Sequence, residues 1–580
     1  MNILTVARKL GSIAILTVLF LPLFAFSQNP KQQMGTKDET PLVFKSRVRH
    51  VLVPVIVHDH KNQHVSGLTK DDFTVLENGK PQQILSVDEF KSDLAKVSKL
   101  ITTTVTPSTP DSTGNAGPVK AFTNELSGAQ SQKRIIIILM DRINTKFIDQ
   151  HNASLAVMKF LAKQTTGDTL IELLDMKSRG LAVVHDFTSD PRVLIRALEK
   201  ETGERGNMEN VDFTTMDSAP SASDIQSTQD RLDAFAARGE AFYAGFQQQN
   251  TVNATMEGFA HIAEAFAGIP GRKSLVWMTE SFGMMLTDPN SEFPAFVDRS
   301  LFEKAIQKLS DANIAIYPVD VRGLVNAGFI DASQRVNING RNPQASLDRV
   351  RTAQMNRHQD LIGTMNEIAD MTGGKAFYNS NDLEGSIGQA QKDAQDYYLI
   401  SYALDQSDTK PGWRKLKVKV RQDGINLRAR QGFYMTAATN DPDKTRNEDM
   451  NEALDSPLDF TGMPLHAVIV GTKDLGNGKR RITYRVFVPP GVMTVDESDG
   501  NMVKIEAAYS VHDHRGNTMD RNGTSSSMKI KPAFLAQFRA RDLAMENSIS
   551  LPPGEFTLRF VVRDNINGRI GSVLVPLKVE

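Results

Sequence analysis

From residue 48 the chain alternates β-branched runs with turn clusters. His50 to Val57 is bounded by His58-Asp59-His60-Lys61-Asn62, Phe73 to Leu76 runs into the turn signal Glu77-Asn78-Gly79-Lys80, and Ile84 to Phe90 adds a further strand. This predicts a small N-terminal β unit over 45–95. Residues 96–132 are rich in Thr, Ser, Pro and Gly and predict a linker or long loop. The pattern then changes. Ile135 to Met140 is apolar without alternation, as a parallel strand buried on both faces requires, and it ends in Asp141. Helical spacing follows at 152–164, 190–198, 254–267, 302–312 and 361–372, interleaved with strand-like runs at 168–174, 181–185, 274–278 and 314–319. Strand runs at 397–402, 416–420 and 427–434 are expected to close the unit. Polar stretches at 203–249 and 325–356 break the order and predict insertions at the rim of a sheet.

The expected class is therefore α/β: a doubly wound, mostly parallel sheet over 133–436. After a polar linker at 437–454, period-two runs such as Ile482 to Val488 and Phe556 to Val562 predict an immunoglobulin-like β-sandwich over 455–580. The two β modules share an echo. Val57-His58-Asp59-His60-Lys61-Asn62 returns as Val511-His512-Asp513-His514-Arg515-Gly516-Asn517, each at a strand end.

The first residues change the picture of where the protein works. A short basic start, an apolar run from Ile13 to Phe26 and the small residues Ala25 and Ser27 have the layout of a secretory signal peptide over 1–27, followed by a polar lead-in over 28–44. The apolar run is shorter than the roughly 20 residues of a spanning helix. The expectation is a secreted or periplasmic, envelope-associated protein with no membrane span after cleavage. The chain has no cysteine, which excludes disulfides, thiol nucleophiles and thiolate metal sites. A formal charge of -1 gives no electrostatic basis for nucleic acid as a partner.

Several separated motifs occur together in a recognisable order: Ile135 to Asp141; Asn144-Thr145; Gly268-Ile269-Pro270-Gly271-Arg272-Lys273-Ser274-Leu275-Val276-Trp277; and Ile316-Tyr317-Pro318-Val319-Asp320-Val321-Arg322-Gly323-Leu324. With Gly67 to Phe73 ahead of them and Arg428 to Tyr434 behind, the order resembles the von Willebrand factor A-related proteins of the acidobacterial type, over roughly residues 45–434. The resemblance implies a von Willebrand factor A-like or Rossmann-like sheet. It also implies a metal-ion-dependent adhesion site for Mg2+ or Mn2+ above the carboxyl ends of the strands.

The residues that would hold such an ion are Asp141, Asn144, Thr145, Thr255 and Glu280. The motif is degraded: Ile143 stands where a hydroxyl is expected, and Glu280 stands in Met278-Thr279-Glu280 where the family carries Asp. The same residues serve equally well as backbone caps at strand-helix turns. His58-Asp59-His60 reads as a solvated turn rather than a metal site, and Gly271-Arg272-Lys273 as a turn rather than a phosphate loop.

Two readings of function stay open. One is an adhesion or interaction protein that binds a protein or glycan partner, with or without the cation. The other is a structural or scaffold component of an envelope complex with a silent site. Hydrolysis by paired carboxylates, Asp141 and Glu280, is a third. No Gly-x-Ser-x-Gly elbow or His-Glu-x-x-His helix accompanies them, and the expectation is a non-enzyme.

Overall fold

The computed structural model describes residues 50–91, 121–126, 133–164, 167–201, 228–280, 282, 299–325, 343–404, 410–435 and 442–580. The expected signal peptide and lead-in, and most of the expected linker at 96–132, lie outside these. In chain order the first elements are β1 (His50–His58), β2 (Phe73–Glu77), β3 (Lys80–Pro81), β4 (Ile84–Phe90), β5 (Ala121–Thr123), β6 (Arg134–Asp141), α1 (Phe147–Ala162), β7 (Thr169–Lys177), β8 (Gly180–Thr188) and α2 (Pro191–Lys200). The middle of the chain holds α3 (Thr228–Ala265), β9 (Lys273–Thr279), α4 (Arg299–Asp311), β10 (Ile314–Asp320), α5 (Pro343–Thr372), α6 (Leu383–Asp393), β11 (Tyr397–Ala403), β12 (Gly412–Val420), β13 (Asn426–Ala429) and β14 (Gly432–Met435). After these come α7 (Pro442–Asp455), β15 (His466–Asp474), β16 (Arg480–Val488), β17 (Met502–Asp513), β18 (Thr518–Lys529), α8 (Leu535–Arg539), β19 (Leu543–Leu551), β20 (Gly554–Asp564) and β21 (Ile570–Val579).

The apolar run of β6 is buried because it is central in a five-stranded sheet of order β10-β9-β6-β7-β8. The pairs β10/β9, β9/β6 and β6/β7 are parallel, and β8 closes the edge antiparallel to β7. Successive side chains of a strand point to opposite faces. Ile135, Ile137 and Leu139 thus meet Met256 and Phe259 of α3 and Ile306 of α4, while Ile136, Ile138 and Met140 meet Val157 and Phe160 of α1 and Ile387 of α6. Each such side chain contributes about 2–3 kcal/mol by leaving water.

The expected fold class is overturned. Among the described residues four of the five sheets are antiparallel throughout, and the molecule is mostly antiparallel β structure rather than a doubly wound α/β protein flanked by two small β units. Among the described residues parallel strand pairs number three, all in one sheet that itself ends on an antiparallel strand, with one isolated parallel bridge from Val319 to Phe377. The reason is that an apolar run reports burial on both faces and says nothing of how the other strands pair.

The strands expected to close the α/β unit lie elsewhere. β11 pairs with β1 and β4, β13 pairs with β1, and β12 pairs with β2, all antiparallel. Two four-stranded sheets, β13-β1-β11-β4 and β14-β12-β2-β3, thus form one sandwich from segments more than 300 residues apart. Val53 and Val55 of β1, Val75 of β2, Tyr398 and Ile400 of β11 and Leu416 of β12 fill its core. Tyr402 Oη donates to Glu77 Oε2 across the core at 2.7 Å, and Arg414 Nη1 lies 3.4 Å from Glu77 Oε1.

Other segments read as linker or insertion are also structured. Part of the expected insertion at 203–249 belongs to α3, a helix of 38 residues, and part of that at 325–356 to α5, a helix of 30 residues. Both are so polar over these stretches that composition hides their helical period. Within the expected linker at 96–132, β5 pairs with β15. The linker expected at 437–454 is largely α7, whose Met450, Ala453 and Leu454 are buried in the same core as α3 and α4. The C-terminal sandwich, of sheets β19-β16-β15-β5 and β18-β17-β20-β21, adds Val561 and Ile570 to that core. Gly268 sits where the two parts approach closely, since a Cβ there would lie 1.7 Å from the Thr461 carbonyl oxygen.

The sequence echo is a turn. Asp59 Oδ1 accepts the N–H groups of Lys61 and Gln63 at 2.8 and 2.9 Å, and Asp513 Oδ1 accepts those of Arg515 and Asn517, both at 2.8 Å. Asn62 and Gly516 take the left-handed conformation, at φ 60° and 82°, that ends each turn.

Candidate functional site

β6 and β9 run parallel side by side, with Met140 in register with Met278, so the residues that follow each strand emerge at one rim. Asp141 ends β6, and Asn144, Thr145 and Lys146 form the short path into α1. Trp277 and Thr279 lie on the same face of β9, two residues apart, with Glu280 just beyond. Thr255 comes from α3, which crosses beneath. The five expected site residues are all buried, at 0–4% exposure.

Three of them, Asp141, Asn144 and Thr255, are linked in one group. Asp141 Oδ1 accepts the backbone N–H of Asn144 at 3.0 Å. Asp141 Oδ2 accepts three donors: Asn144 Nδ2 at 2.7 Å, Trp277 Nε1 at 2.9 Å and Thr279 Oγ1 at 2.9 Å. The Asn144 amide also donates to Thr255 Oγ1 at 2.9 Å, while the Thr255 hydroxyl proton goes to the Thr251 carbonyl at 2.8 Å. Asn144 thus bridges Asp141 and Thr255. Glu280 stands apart from this group. Its Oε2 accepts the Lys146 N–H at 2.7 Å, and its Oε1 lies 3.4 Å from Lys146 Nζ. Thr145 joins neither that group nor Glu280 through its side chain, and its buried hydroxyl has no hydrogen-bond partner among the described residues.

Burial raises the pKa of Asp141 although four donors oppose the shift. Burial raises those of Glu280 and Asp149 as well, and the two carboxyls sit close enough to interact directly beside Lys146 and Arg322. Arg322 is held by Asp320, Nε to Oδ1 at 2.9 Å and Nη2 to Oδ2 at 2.7 Å. Burial disfavours the charged guanidinium, but the pair with Asp320 outweighs it and raises the pKa.

A divalent cation does not fit this arrangement. Oxygen ligands with free lone pairs are needed, yet three donors saturate Asp141 Oδ2, and an N–H group of Asn144 occupies the space between Asp141 and Thr255 where an ion would bridge them. Among the described residues no group of three or more His, Asp or Glu has metal-binding geometry. The expected acid/base pair is not formed either: Asp141 and Glu280 have separate partners, and the carboxyl facing Glu280 is Asp149.

Sequence reasoning missed Trp277, Thr279, Lys146 and Asp149. Period-two spacing placed Trp277 and Thr279 on one face and could have found them; the Lys146 and Asp149 contacts depend on how α1 is set against β9. Gly271-Arg272-Lys273 is a turn into β9. Lys273 Nζ donates to the carbonyls of Ile269 and Gly271, and Arg272 Nη2 donates to Tyr317 Oη and the Gly373 carbonyl.

Three exposed apolar side chains lie close in sequence to residues of the polar group: Phe147 and Ile148 at the start of α1, directly after Lys146 and 52% and 69% exposed, and Leu324 two residues after Arg322, 68% exposed. No helix among the described residues is long and apolar enough to cross a membrane.

No family model and no curated protein matches the chain. Among solved structures it is similar to an aerotolerance-related membrane protein of Bacteroides fragilis, at 13% identity over 45% of this chain and 98% of that one, with a TM-score of 0.21. It is also similar to the pilus adhesin SpaC of Lactobacillus rhamnosus GG, at 9% identity over 77% of this chain and 53% of that one, TM-score 0.24. A β-glucuronidase of Bacteroides uniformis shares 9% identity over 32% of this chain and 19% of that one, TM-score 0.15. Likenesses at these scores carry no argument about fold or activity.

Proposed function

We propose that this chain is an exported, non-enzymatic interaction protein that engages a protein partner at the carboxyl-end rim of its five-stranded sheet, without a metal ion. The order of motifs from Ile135 to Leu324 supports reading it with the von Willebrand factor A-related proteins of the acidobacterial type, and the layout of residues 1–27 supports export. The observation that carries the reading is the pairing of exposed Phe147, Ile148 and Leu324 with a rigid polar base in which the Asp141 and Glu280 carboxylates are already engaged by internal donors. Apolar side chains held at a rim by buried hydrogen bonds give a partner contact area with little ordering cost. The charged neighbours Lys146 and Arg322 supply orientation.

A pull-down from the native envelope fraction tests this with the full chain, the double variant Phe147→Ser/Ile148→Ser, and EDTA. Capture of a discrete partner by the full chain, lost in the double variant and unchanged by EDTA, is the expected result. Capture that EDTA abolishes, or that the double variant retains in full, overturns it.

A second reading, assembly into an envelope scaffold, is favoured by one observation. On α3, exposed Phe235, Tyr243 and Phe246 lie within one face of the helix at spacings of eight and three. A change of oligomeric state on Phe235→Ser/Phe246→Ser, measured by light scattering, separates this reading from the first.

A further inference from the structure

The C-terminal sandwich closes at one margin and stands open at the other. β21 packs against β5 and β15, whereas the edge strands β18 and β19, joined by the segment that carries α8, bound a cavity of about 150 Å³ between the sheets. Inward positions of a sandwich are normally filled by large apolar side chains. Here the inward ladder across one sheet reads Asn522, Tyr509, Phe560, and across the other Asn547, Tyr484. Ala507, between Ile505 and Tyr509 on the same face, leaves the space. Exposed Asn522, half-buried Asn547 and small Ala507 thus take inward-facing places where large apolar side chains are the rule, and such breaks concentrate at functional sites.

The wall is aromatic and fixed. Tyr484 lies 4.5 Å from Phe560 and 6.0 Å, edge to face, from Tyr509, ring centre to ring centre. Tyr509 Oη donates to Asp520 Oδ2 at 3.0 Å, which holds that ring in place. The rim is polar and uncommitted. Asn522 Oδ1 accepts the Gly523 N–H and Asn547 Oδ1 accepts the Ser548 N–H, both at 2.8 Å, so each carboxamide oxygen is used locally and each Nδ2 is left over. Among the described residues neither Nδ2 nor Tyr484 Oη has a partner.

Charge narrows the ligand. Glu546 is the one carboxylate of the lining, and it is turned to Arg485, whose Nε lies at 2.9 Å. Among the described residues no cationic side chain lines the cavity, so phosphates and carboxylates find no counter-charge. Its volume is below the roughly 300–1,000 Å³ of pockets for larger ligands, which limits it to a single ring. Amide and phenol donors want acceptor oxygens, and an aromatic face wants C–H groups. A pyranose ring offers both and carries no charge.

We propose that this open margin binds one neutral sugar residue, packed against the half-buried Tyr509 ring and hydrogen-bonded by Asn522, Asn547 and the Tyr484 hydroxyl. The assignment is independent of the rim described above. The test is saturation-transfer NMR on the full chain with glucose, galactose, mannose and N-acetylglucosamine, alongside a Ser/Thr-rich peptide and inorganic phosphate. Saturable transfer from at least one sugar is expected, with affinity reduced about tenfold in Asn547→Ala, the loss of one hydrogen bond. Ala507→Leu fills the cavity and should abolish binding, while an unchanged or higher melting temperature shows that the sandwich still folds. The Phe147→Ser/Ile148→Ser variant should bind sugar normally. No saturable transfer from any of the four sugars overturns the assignment; so does binding that survives Ala507→Leu, and so does binding of the peptide or of phosphate in their place.

Discussion

Replacing Asp141 by alanine removes the acceptor from four donors at once. Asn144 Nδ2 keeps Thr255 Oγ1, and the Thr279 hydroxyl is free to rotate. Trp277 Nε1 and the Asn144 backbone N–H cannot be rescued, because both lie in fully enclosed surroundings. Each buried donor left unpaired costs about 1–3 kcal/mol, or about 2–6 kcal/mol for the pair. Part is returned, since burial already works against the Asp141 carboxylate. A net loss near 3 kcal/mol corresponds to about 6–12 °C in the melting of a unit of this size. Calorimetry is the assay, because a chain with several cores need not unfold in one step and the affected transition can be followed separately. Magnesium and manganese supply the second arm. An ion at a hundred times its Kd would stabilise by about 2.7 kcal/mol, a shift of about 5–10 °C, whereas the closed geometry predicts no resolvable shift. A cation-induced rise in wild type that Asp141→Ala removes would refute the reasoning, because it requires the Asn144 bridge to open.

Two further outcomes follow from buried charge. Burial, which outweighs the opposing pull of Lys308, raises the Glu264 pKa from the ordinary 4.5 to about 7. The folded state therefore holds a proton that the unfolded chain has released. Its contribution is complete below pH 4.5 and is lost as pH rises through about 7, with an upper bound of about 3 kcal/mol; urea titrations across that window should show the decline, and Glu264→Gln should flatten it. Glu77→Ala leaves the Arg414 guanidinium buried without its carboxylate and should cost the N-terminal sandwich about 3–5 kcal/mol; chemical denaturation followed by near-ultraviolet dichroism checks this, and a loss below 1 kcal/mol would show that Arg414 finds another partner.

Local chemistry was legible without coordinates. The unbroken apolar character of Ile135 to Met140 required burial on both faces, the Asn-Gly at 78–79 required a turn, and the repeated Asp59 and Asp513 motifs marked one turn geometry used twice. The nearness of Asp141, Asn144 and Thr255 was also readable through the family resemblance. What these residues do to one another was not. Whether Asp141 offers its oxygens to an ion or gives them to Asn144, Trp277 and Thr279 depends on angles and distances of a few tenths of an ångström, which no pattern of residue types encodes.

Strand partnership was the larger omission. Alternation tells which face of a strand is apolar, but any apolar face can complete any sheet that needs one. Tyr397–Met435 therefore read as the end of the unit before it, and the chain instead returned it to His50–Phe90. Local sequence settles the conformation and the faces of each segment, because those are set by neighbouring residues and by water. Which faces meet is decided by the competition among all possible pairings for the least exposed apolar surface and the fewest unpaired polar groups, and that competition is settled only in the folded whole.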